Sequence, residues 1–226
     1  SGTRAEETDL PPSPREPVRV PVRQVLKHHR PALFRTIACN VLNGVGFYLT
    51  FVYLTTYLVD YSKLTESRAL TINTGVMIFF MLLLPLLGYV ADRIGQRPLL
   101  LIGSGGIALL GYPAFWLLHH PDPAMIILGQ CSLALVLACY FAPLLGAMIS
   151  LFPAEVRVTG FSIGYNIPLA IFGGTSPLVA TYLIHETHMQ LAPAFYLTGA
   201  GVLAFLVVIF MPPVEDEAEP PAIPAE

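Results

Sequence analysis

Apolar residues are grouped along this chain into six long blocks, separated by short segments that carry most of the charge. A helix needs about 20 apolar residues to cross a hydrocarbon core of about 30 Å, and each block is long enough. The blocks lack the alternation of apolar and polar residues that is typical of membrane β-strands. The pattern therefore predicts an all-α membrane protein with six transmembrane helices, near residues 34–58, 69–91, 97–118, 123–151, 157–184 and 190–211.

The segments outside the six blocks differ from them in composition. The chain begins with a stretch rich in proline and charge, and it ends in the acidic sequence PPVEDEAEPPAIPAE. Such segments cannot bury enough apolar surface to compensate for the entropy that ordering removes. We therefore expect a disordered linker over residues 1–30, a six-helix domain over residues 31–212 and a disordered acidic tail over residues 213–226.

Composition excludes several classes of protein. Of the 226 residues, 54% are hydrophobic and 12% are charged, whereas a soluble domain has about 25% charged residues. The net charge of −3 argues against binding to nucleic acid. Cys39, Cys131 and Cys139 lie far apart inside apolar blocks, so we expect buried thiols rather than disulfides or a zinc site.

Basic residues are distributed unevenly between the loops. The segment before the first block is rich in arginine and lysine, and the second and fourth loops carry Arg93, Arg97 and Arg157. The loops on the opposite side carry only Lys63 and Arg68. Because basic loops remain in the cytoplasm, this bias predicts a multi-pass protein of the cell (inner) membrane with both termini in the cytoplasm.

The second loop combines an acidic residue, two arginines and two spaced glycines: Gly88, Asp92, Arg93, Gly95 and Arg97. Charged side chains at the headgroup level can pair between neighbouring helices and so favour one packing of the bundle over another. A topology signal alone would need the arginines, but neither Asp92 nor the glycines. We therefore interpret this cluster as a gating latch.

This loop resembles the signature G-x-x-x-D-R-x-G-R-R of the major facilitator superfamily, and it departs from it at Gln96, where the signature has arginine. The fourth loop, residues 153–160, is similar to the P-x-E-V-R-x-T-G segment of the sugar-porter-like branch. The resemblance implies that the two loops are neighbours on the cytoplasmic face. Glu155 and Arg157 would then exchange ion pairs with the charges of the second loop during gating.

Residues 160–184 and 43–58 are similar to the eleventh and seventh helices of the metabolite:proton symporter family, whose members carry proline and betaine, 2-oxoglutarate, citrate or shikimate. The resemblance covers residues 30–212 and implies the C-terminal half of a twelve-helix fold, with substrate held between the halves. The chain is then a fragment or a half-protein, and its partner is an N-terminal six-helix half. The implied activity is secondary active transport of a small organic acid, amino acid or betaine, with the proton as coupling ion.

Polar and small residues recur on one face of the first block at spacings of three and four: Asn43, Gly46, Thr50, Tyr53 and Tyr57. Such a face on an apolar helix should point into the bundle or into a cavity. The resemblance implies that the seventh and tenth helices line the cavity most directly, with the eighth and eleventh beside them. The predicted substrate-contacting residues are Asn43, Thr50, Tyr53, Gln130, Tyr140, Tyr165 and Asn166. The alternative for each is an interhelical hydrogen bond that serves packing, of about 0.6–2 kcal/mol.

The remaining features predict little further chemistry. His119, His120, His185 and His188 lie in short loops without a third ligand at metal-binding spacing, and we interpret them as solvated. The spans lack a nucleophile–base pair and ionisable side chains, so we expect no enzyme, no metal and no other cofactor, and we expect the coupling residues in the N-terminal half. The third and sixth blocks, which are mostly aliphatic, are expected to face lipid. The alternative function is a six-helix membrane scaffold that binds a partner and does not transport alone.

Overall fold

The computed structural model describes residues 22–211, and all the regular structure in that range is helical. The helices are α1 (Val22–His28), α2 (Arg30–Asp60), α3 (Glu66–Ile94), α4 (Gln96–Leu117), α5 (Pro123–Ile149), α6 (Arg157–Thr187) and α7 (Ala192–Ile209). Each of the helices α2 to α7 is long and apolar enough to cross a membrane. The prediction of an all-α fold with six transmembrane helices is confirmed.

Residues 22–28 form helix α1. The expectation of a disordered linker over residues 1–30 is therefore wrong for these seven residues. Val25 is fully buried and packs with Leu33 of α2 and with Phe152 and Val156 in the segment before α6. These apolar contacts offset the entropy that α1 loses when it is ordered. Residues 1–21 and 212–226, which include the rest of the predicted linker and the whole predicted tail, lie outside the described residues.

Two of the long helices contain π-helical turns, over Tyr48–Tyr53 in α2 and over Leu169–Gly173 in α6. Pro168, which lacks a backbone N–H and cannot continue the α-helical bonding, directly precedes the turn in α6. The two helices meet closely near these turns, because a Cβ added to Gly44 would lie 2.9 Å from the backbone nitrogen of Gly173. Glycine at position 44 therefore permits this crossing.

Helix α2 is the central helix of the described bundle, and 78% of its apolar stretch is buried. It packs against α6 and α7, and α4 packs extensively on α5 and α7. The least buried apolar stretches belong to α3, at 17%, and α6, at 28%, whereas α4 and α7 reach 44%. The second and fifth spans are therefore the most exposed of the six. The expectation that the third and sixth spans face lipid stays a prediction.

Candidate substrate and gating sites

The predicted substrate-contacting residues fall into two groups by burial. Asn43, Thr50, Tyr53, Gln130 and Tyr140 are buried within the six helices. Tyr165 is half-buried and stacks on Phe161 at 5.4 Å between ring centroids, while Asn166 is exposed and donates to Ser162 O at 2.9 Å. Both of these side-chain contacts stay within α6. Among the buried residues, in contrast, Gln130 and Tyr140 bond to other helices.

The N-terminal half of α2 is tied to α5 and α6 by polar side chains. Asn43 Nδ2 donates to Asn40 Oδ1 at 2.7 Å, and Asn40 Nδ2 donates to the carbonyl of Gly164 in α6 at 3.2 Å. Tyr140 on α5 donates its hydroxyl proton to the carbonyl of Cys39 at 2.8 Å. Asn43 and Tyr140 therefore already have hydrogen-bond partners within the described residues.

A second polar network surrounds the π-helical turn of α2. Gln130 Nε2 on α5 donates to Asn73 Oδ1 on α3 at 2.8 Å and to the carbonyl of Thr50 at 3.4 Å. Asn73 Nδ2 in turn donates to the carbonyl of Phe51 at 3.0 Å. A π-helical turn changes the partners of the backbone carbonyls, and here two side chains bond to them. Sequence analysis missed Asn73, whose only signal was a single amide in an apolar block.

Two atoms of this network have no hydrogen-bond partner among the described residues. They are Thr50 Oγ1 and Gln130 Oε1, and both are buried. An unpaired polar atom in an apolar interior costs free energy, so such atoms favour the binding of a polar group. The network therefore offers a hydroxyl and an amide oxygen to a hydrogen-bond donor.

The C-terminal segment of α2, Leu54–Asp60, carries Tyr57, whose side chain is fully buried. Its hydroxyl lies 2.9 Å from the carbonyl of Gln190 and 3.1 Å from His119 Nε2, and the Tyr53 ring lies 6.0 Å away. His119 is half-buried, so its interpretation as a solvated loop residue is wrong, whereas His120 is exposed, as are His185 and His188. The pairing of positions 57 and 119 arises from tertiary packing, which the local sequence does not reveal.

An open groove runs along the exposed face of α3, with a volume of about 720 Å³. Small and hydroxyl-bearing residues recur along it at helical spacing, and sequence analysis did not select them. The lining residues are Glu66, Ser67, Leu70, Thr71, Thr74, Gly75 and Ile78. This face is mostly apolar, with a few hydroxyl groups, and it is open enough to receive another helix.

The predicted gating loop is a sharp turn at the opposite end of α3. Gly95 separates α3 from α4 with a φ of +90°, a conformation that side-chain-bearing residues rarely adopt. Arg97 Nη2 donates to the carbonyl of Ile209 at 2.6 Å, where a cation also favours the negative end of the α7 dipole. Arg93 lies over the Tyr89 ring at 4.7 Å from its centroid, and Asp92 is exposed and has no ion pair with another described residue.

The other members of the predicted latch lie at the start of α6 and on α3. Glu155 is exposed, and Arg157 Nε donates to the carbonyl of Phe152 at 3.2 Å. Gly88 is half-buried on α3, in open space. Gln96, the departure from the signature, packs against Gly146 of α5: a Cβ added there would lie 2.7 Å from Gln96 Nε2. The structure thus shows bonds from the two loops to neighbouring backbone, and the exchange of ion pairs stays a prediction.

Comparison with known proteins gives a family match over residues 9–226, to the Major Facilitator Superfamily. A protein of Staphylococcus aureus (strain COL) named "Putative proline/betaine transporter" is 36% identical over 188 residues, which is 83% of this chain and 40% of that protein. The ectoine/proline transporter ProP of Corynebacterium glutamicum is 29% identical over 85% of this chain and 38% of its own length.

A third relative is the glycine betaine/proline/ectoine/pipecolic acid transporter OusA of Dickeya dadantii, 28% identical over 91% of this chain and 41% of its own length. The chain therefore spans about 40% of the length of these relatives. The family match, the six apolar helices and the loop at Gly95 agree with one another. This chain belongs to the Major Facilitator Superfamily, a family of multi-pass membrane transporters and not of enzymes.

Proposed function

We propose that this chain is the C-terminal six-helix half of a secondary active transporter, which works by alternating access together with an N-terminal six-helix half. The proposed substrate is a small zwitterionic amino acid or betaine, carried in symport with protons across the cell membrane, with both termini in the cytoplasm. The observation that carries the proposal is the alignment with three transporters of which this chain spans about 40%.

The names of these relatives support the substrate class. Proline, betaines, ectoine and pipecolic acid each combine a carboxylate with a cationic nitrogen in a small molecule. Thr50 Oγ1 and Gln130 Oε1 are buried acceptors without a partner among the described residues, and the face of the Tyr53 ring attracts cations. Once the bundle opens, the two oxygens suit the N–H groups of proline or pipecolic acid, and the ring face suits the quaternary ammonium of a betaine.

The exposed faces support a requirement for a second half. The third and sixth spans, α4 and α7, are expected to face lipid, yet the second span, α3, is less buried than either of them. The groove along Thr71, Thr74 and Gly75 lies on α3, and small residues let helices approach closely in a membrane. We therefore assign α3 and α6 to the contact with the N-terminal half.

The loop charges support a gate on the cytoplasmic face. Asp92 lies exposed at the end of α3, and Arg97, at the start of α4, bonds to the end of α7. A new ion pair at this turn would therefore act on α3, α4 and α7 together. Replacing Asp92 with asparagine removes the charge and keeps the size. We expect uptake to be lost while membrane insertion is unchanged, and Asp60→Asn, an exposed acid at the opposite end, should retain uptake.

The proposal is tested with proteoliposomes that contain this chain together with a coexpressed N-terminal six-helix segment. An imposed proton gradient should drive uptake of radiolabelled proline or glycine betaine, and a protonophore should abolish it. This chain alone, reconstituted at the same density, should give no uptake. If the two-part protein assembles and still transports none of the zwitterions, while it binds its partner, the scaffold function is favoured and the transport proposal fails.

A further inference from the structure

A chain of polar contacts joins three elements where α2 and α4 end and α7 begins. The Tyr57 oxygen lies 2.9 Å from the carbonyl of Gln190 and 3.1 Å from His119 Nε2, with His119 Nδ1 at 3.5 Å. His119 Nδ1 lies 3.1 Å from the carbonyl of Phe115. Because Tyr57 is fully buried, its hydroxyl depends on these partners.

The Phe115 carbonyl needs a donor that the helix does not supply. In a regular α-helix the backbone N–H of His119 would donate to Phe115 O, but here it donates to Trp116 O at 3.2 Å. The His119 ring lies beside the carbonyl instead, through Nδ1. Because a carbonyl only accepts, this contact is a hydrogen bond only when Nδ1 carries a proton.

The same reasoning applies to the other ring nitrogen. Tyr57 has a single hydroxyl proton, and the carbonyl of Gln190 requires it, since a carbonyl cannot donate. The contact between the Tyr57 oxygen and His119 Nε2 is then a bond only when Nε2 is also protonated. A histidine ring carries both protons only as the imidazolium cation.

We propose that His119 is a proton-binding site, and that the bound proton closes this end of the bundle. It does so by completing a chain of hydrogen bonds from Phe115 through His119 and Tyr57 to Gln190. Sequence analysis interpreted His119 as a solvated loop residue, so the site adds a proton-binding group to those predicted. The inference concerns packing and does not rest on transport.

None of the other titratable groups at this end of the described bundle forms an ion pair with His119. On α2 and in the loop after it they are Tyr53, Asp60, Tyr61 and Lys63; at the start of α3 they are Glu66 and Arg68; after α4 they are His120 and Asp122; in the last turn of α6 and just after it they are His185, Glu186 and His188. Asp122 caps α5 by accepting from Ala124 N at 2.9 Å, and Glu186 lies 3.6 Å from His185. Within residues 22–211 no carboxylate lies at ion-pair distance from His119.

The sign of the pH dependence follows from this arrangement. The neutral ring has one proton, so one of its two contacts becomes a contact between acceptors. The closed end is therefore stabilised at low pH, where the ring holds both protons, and it loses this stabilisation as the pH rises and the ring loses one of them. Since Tyr57 follows the π-helical turn of α2, the proton holds the C-terminal segment of that helix, Leu54–Asp60, against α4 and α7.

Hydrogen exchange measured by mass spectrometry on the whole chain in lipid nanodiscs tests the proposal, at about pH 5.5 and about pH 8, on either side of the histidine range. After correction for intrinsic exchange rates, the opening equilibrium of peptides that cover residues 54–62 and 115–120 should rise with pH. The limit for one proton is about tenfold per pH unit. His119→Gln and Tyr57→Phe should each remove this dependence, and His120→Gln, in the exposed neighbour, should keep it.

A second measurement keeps the test decisive if His119→Gln does not fold. Tyr57→Phe preserves the ring and removes only the hydroxyl, and ¹⁵N NMR of labelled imidazoles reports how many ring nitrogens carry protons. At the acidic pH both nitrogens of His119 should be protonated in the unmodified chain. A protection that does not vary with pH, a dependence that persists in Tyr57→Phe, or an equal loss in His120→Gln would each overturn the proposal.

Discussion

The polar network at the π-helical turn of α2 allows the packing role of a buried residue to be separated from a role in substrate binding. Gln130 makes two hydrogen bonds, to Asn73 Oδ1 at 2.8 Å and to Thr50 O at 3.4 Å. Interhelical hydrogen bonds in membrane proteins contribute about 0.6 kcal/mol on average and up to about 1.7 kcal/mol. Gln130→Leu should therefore lower the free energy of unfolding by about 1–2 kcal/mol, since it also leaves Asn73 Oδ1 unpaired.

Thr50→Val is the matched variant, because valine has the shape of threonine and Thr50 Oγ1 has no partner in the described structure. Its effect on the free energy of unfolding, measured by denaturant titration in mixed micelles, should stay below about 0.5 kcal/mol. If Thr50 contacts the substrate, the same variant should raise the KM for uptake by up to about tenfold, the equivalent of one hydrogen bond.

The opposite pattern would refute this reasoning. If Thr50→Val destabilises the protein as much as Gln130→Leu does, the hydroxyl of Thr50 has a hydrogen-bond partner in the folded protein and is not free for substrate. If both variants leave stability unchanged, the bonds around the π-helical turn contribute nothing to packing. An unchanged KM in a stable Thr50→Val protein would remove Thr50 from the predicted substrate contacts.

Two further predictions concern the ends and the crossings of the helices. Arg97→Ala should abolish uptake without preventing insertion, because it removes the bond to the carbonyl of Ile209. An uptake assay with Arg68→Ala as the control checks this prediction. Equal uptake by the two variants would contradict it. Gly103→Val should lower the free energy of unfolding by about 1–3 kcal/mol in a denaturant titration. The reason is that even a Cβ at position 103 would lie 2.5 Å from the backbone nitrogen of Tyr140. An unchanged free energy of unfolding would mean that α4 and α5 separate readily at this crossing.

The sequence predicted the six membrane helices because each span must satisfy its own backbone hydrogen bonds and therefore needs a long apolar block. It did not predict the π-helical turn over Tyr48–Tyr53, since this segment contains neither proline nor glycine. The spacing rule for the polar face assumed a regular α-helix, and it selected Thr50 and Tyr53 but could not show that Gln130 and Asn73 bond around this turn.

Contacts distant in sequence explain the other differences. Tyr57 and His119 are 62 positions apart, so neither the burial of the tyrosine nor the position of the histidine could be derived from its neighbours in sequence. Val25 likewise packs against Phe152 and Val156, and the short pattern of α1 is too weak to predict a helix alone. Local patterns thus define the elements, and tertiary packing decides which polar groups meet.

The central claim is that this half belongs to a carrier that exposes one site alternately to the two sides of the membrane. Counterflow measures this most directly: proteoliposomes with both halves are loaded with unlabelled proline or glycine betaine, and the entry of labelled substrate is followed without a proton gradient. The account predicts transient accumulation of label above its external concentration, which Asp92→Asn should eliminate. Entry that only equilibrates with the outside, or no entry into vesicles that contain the assembled protein, would contradict it.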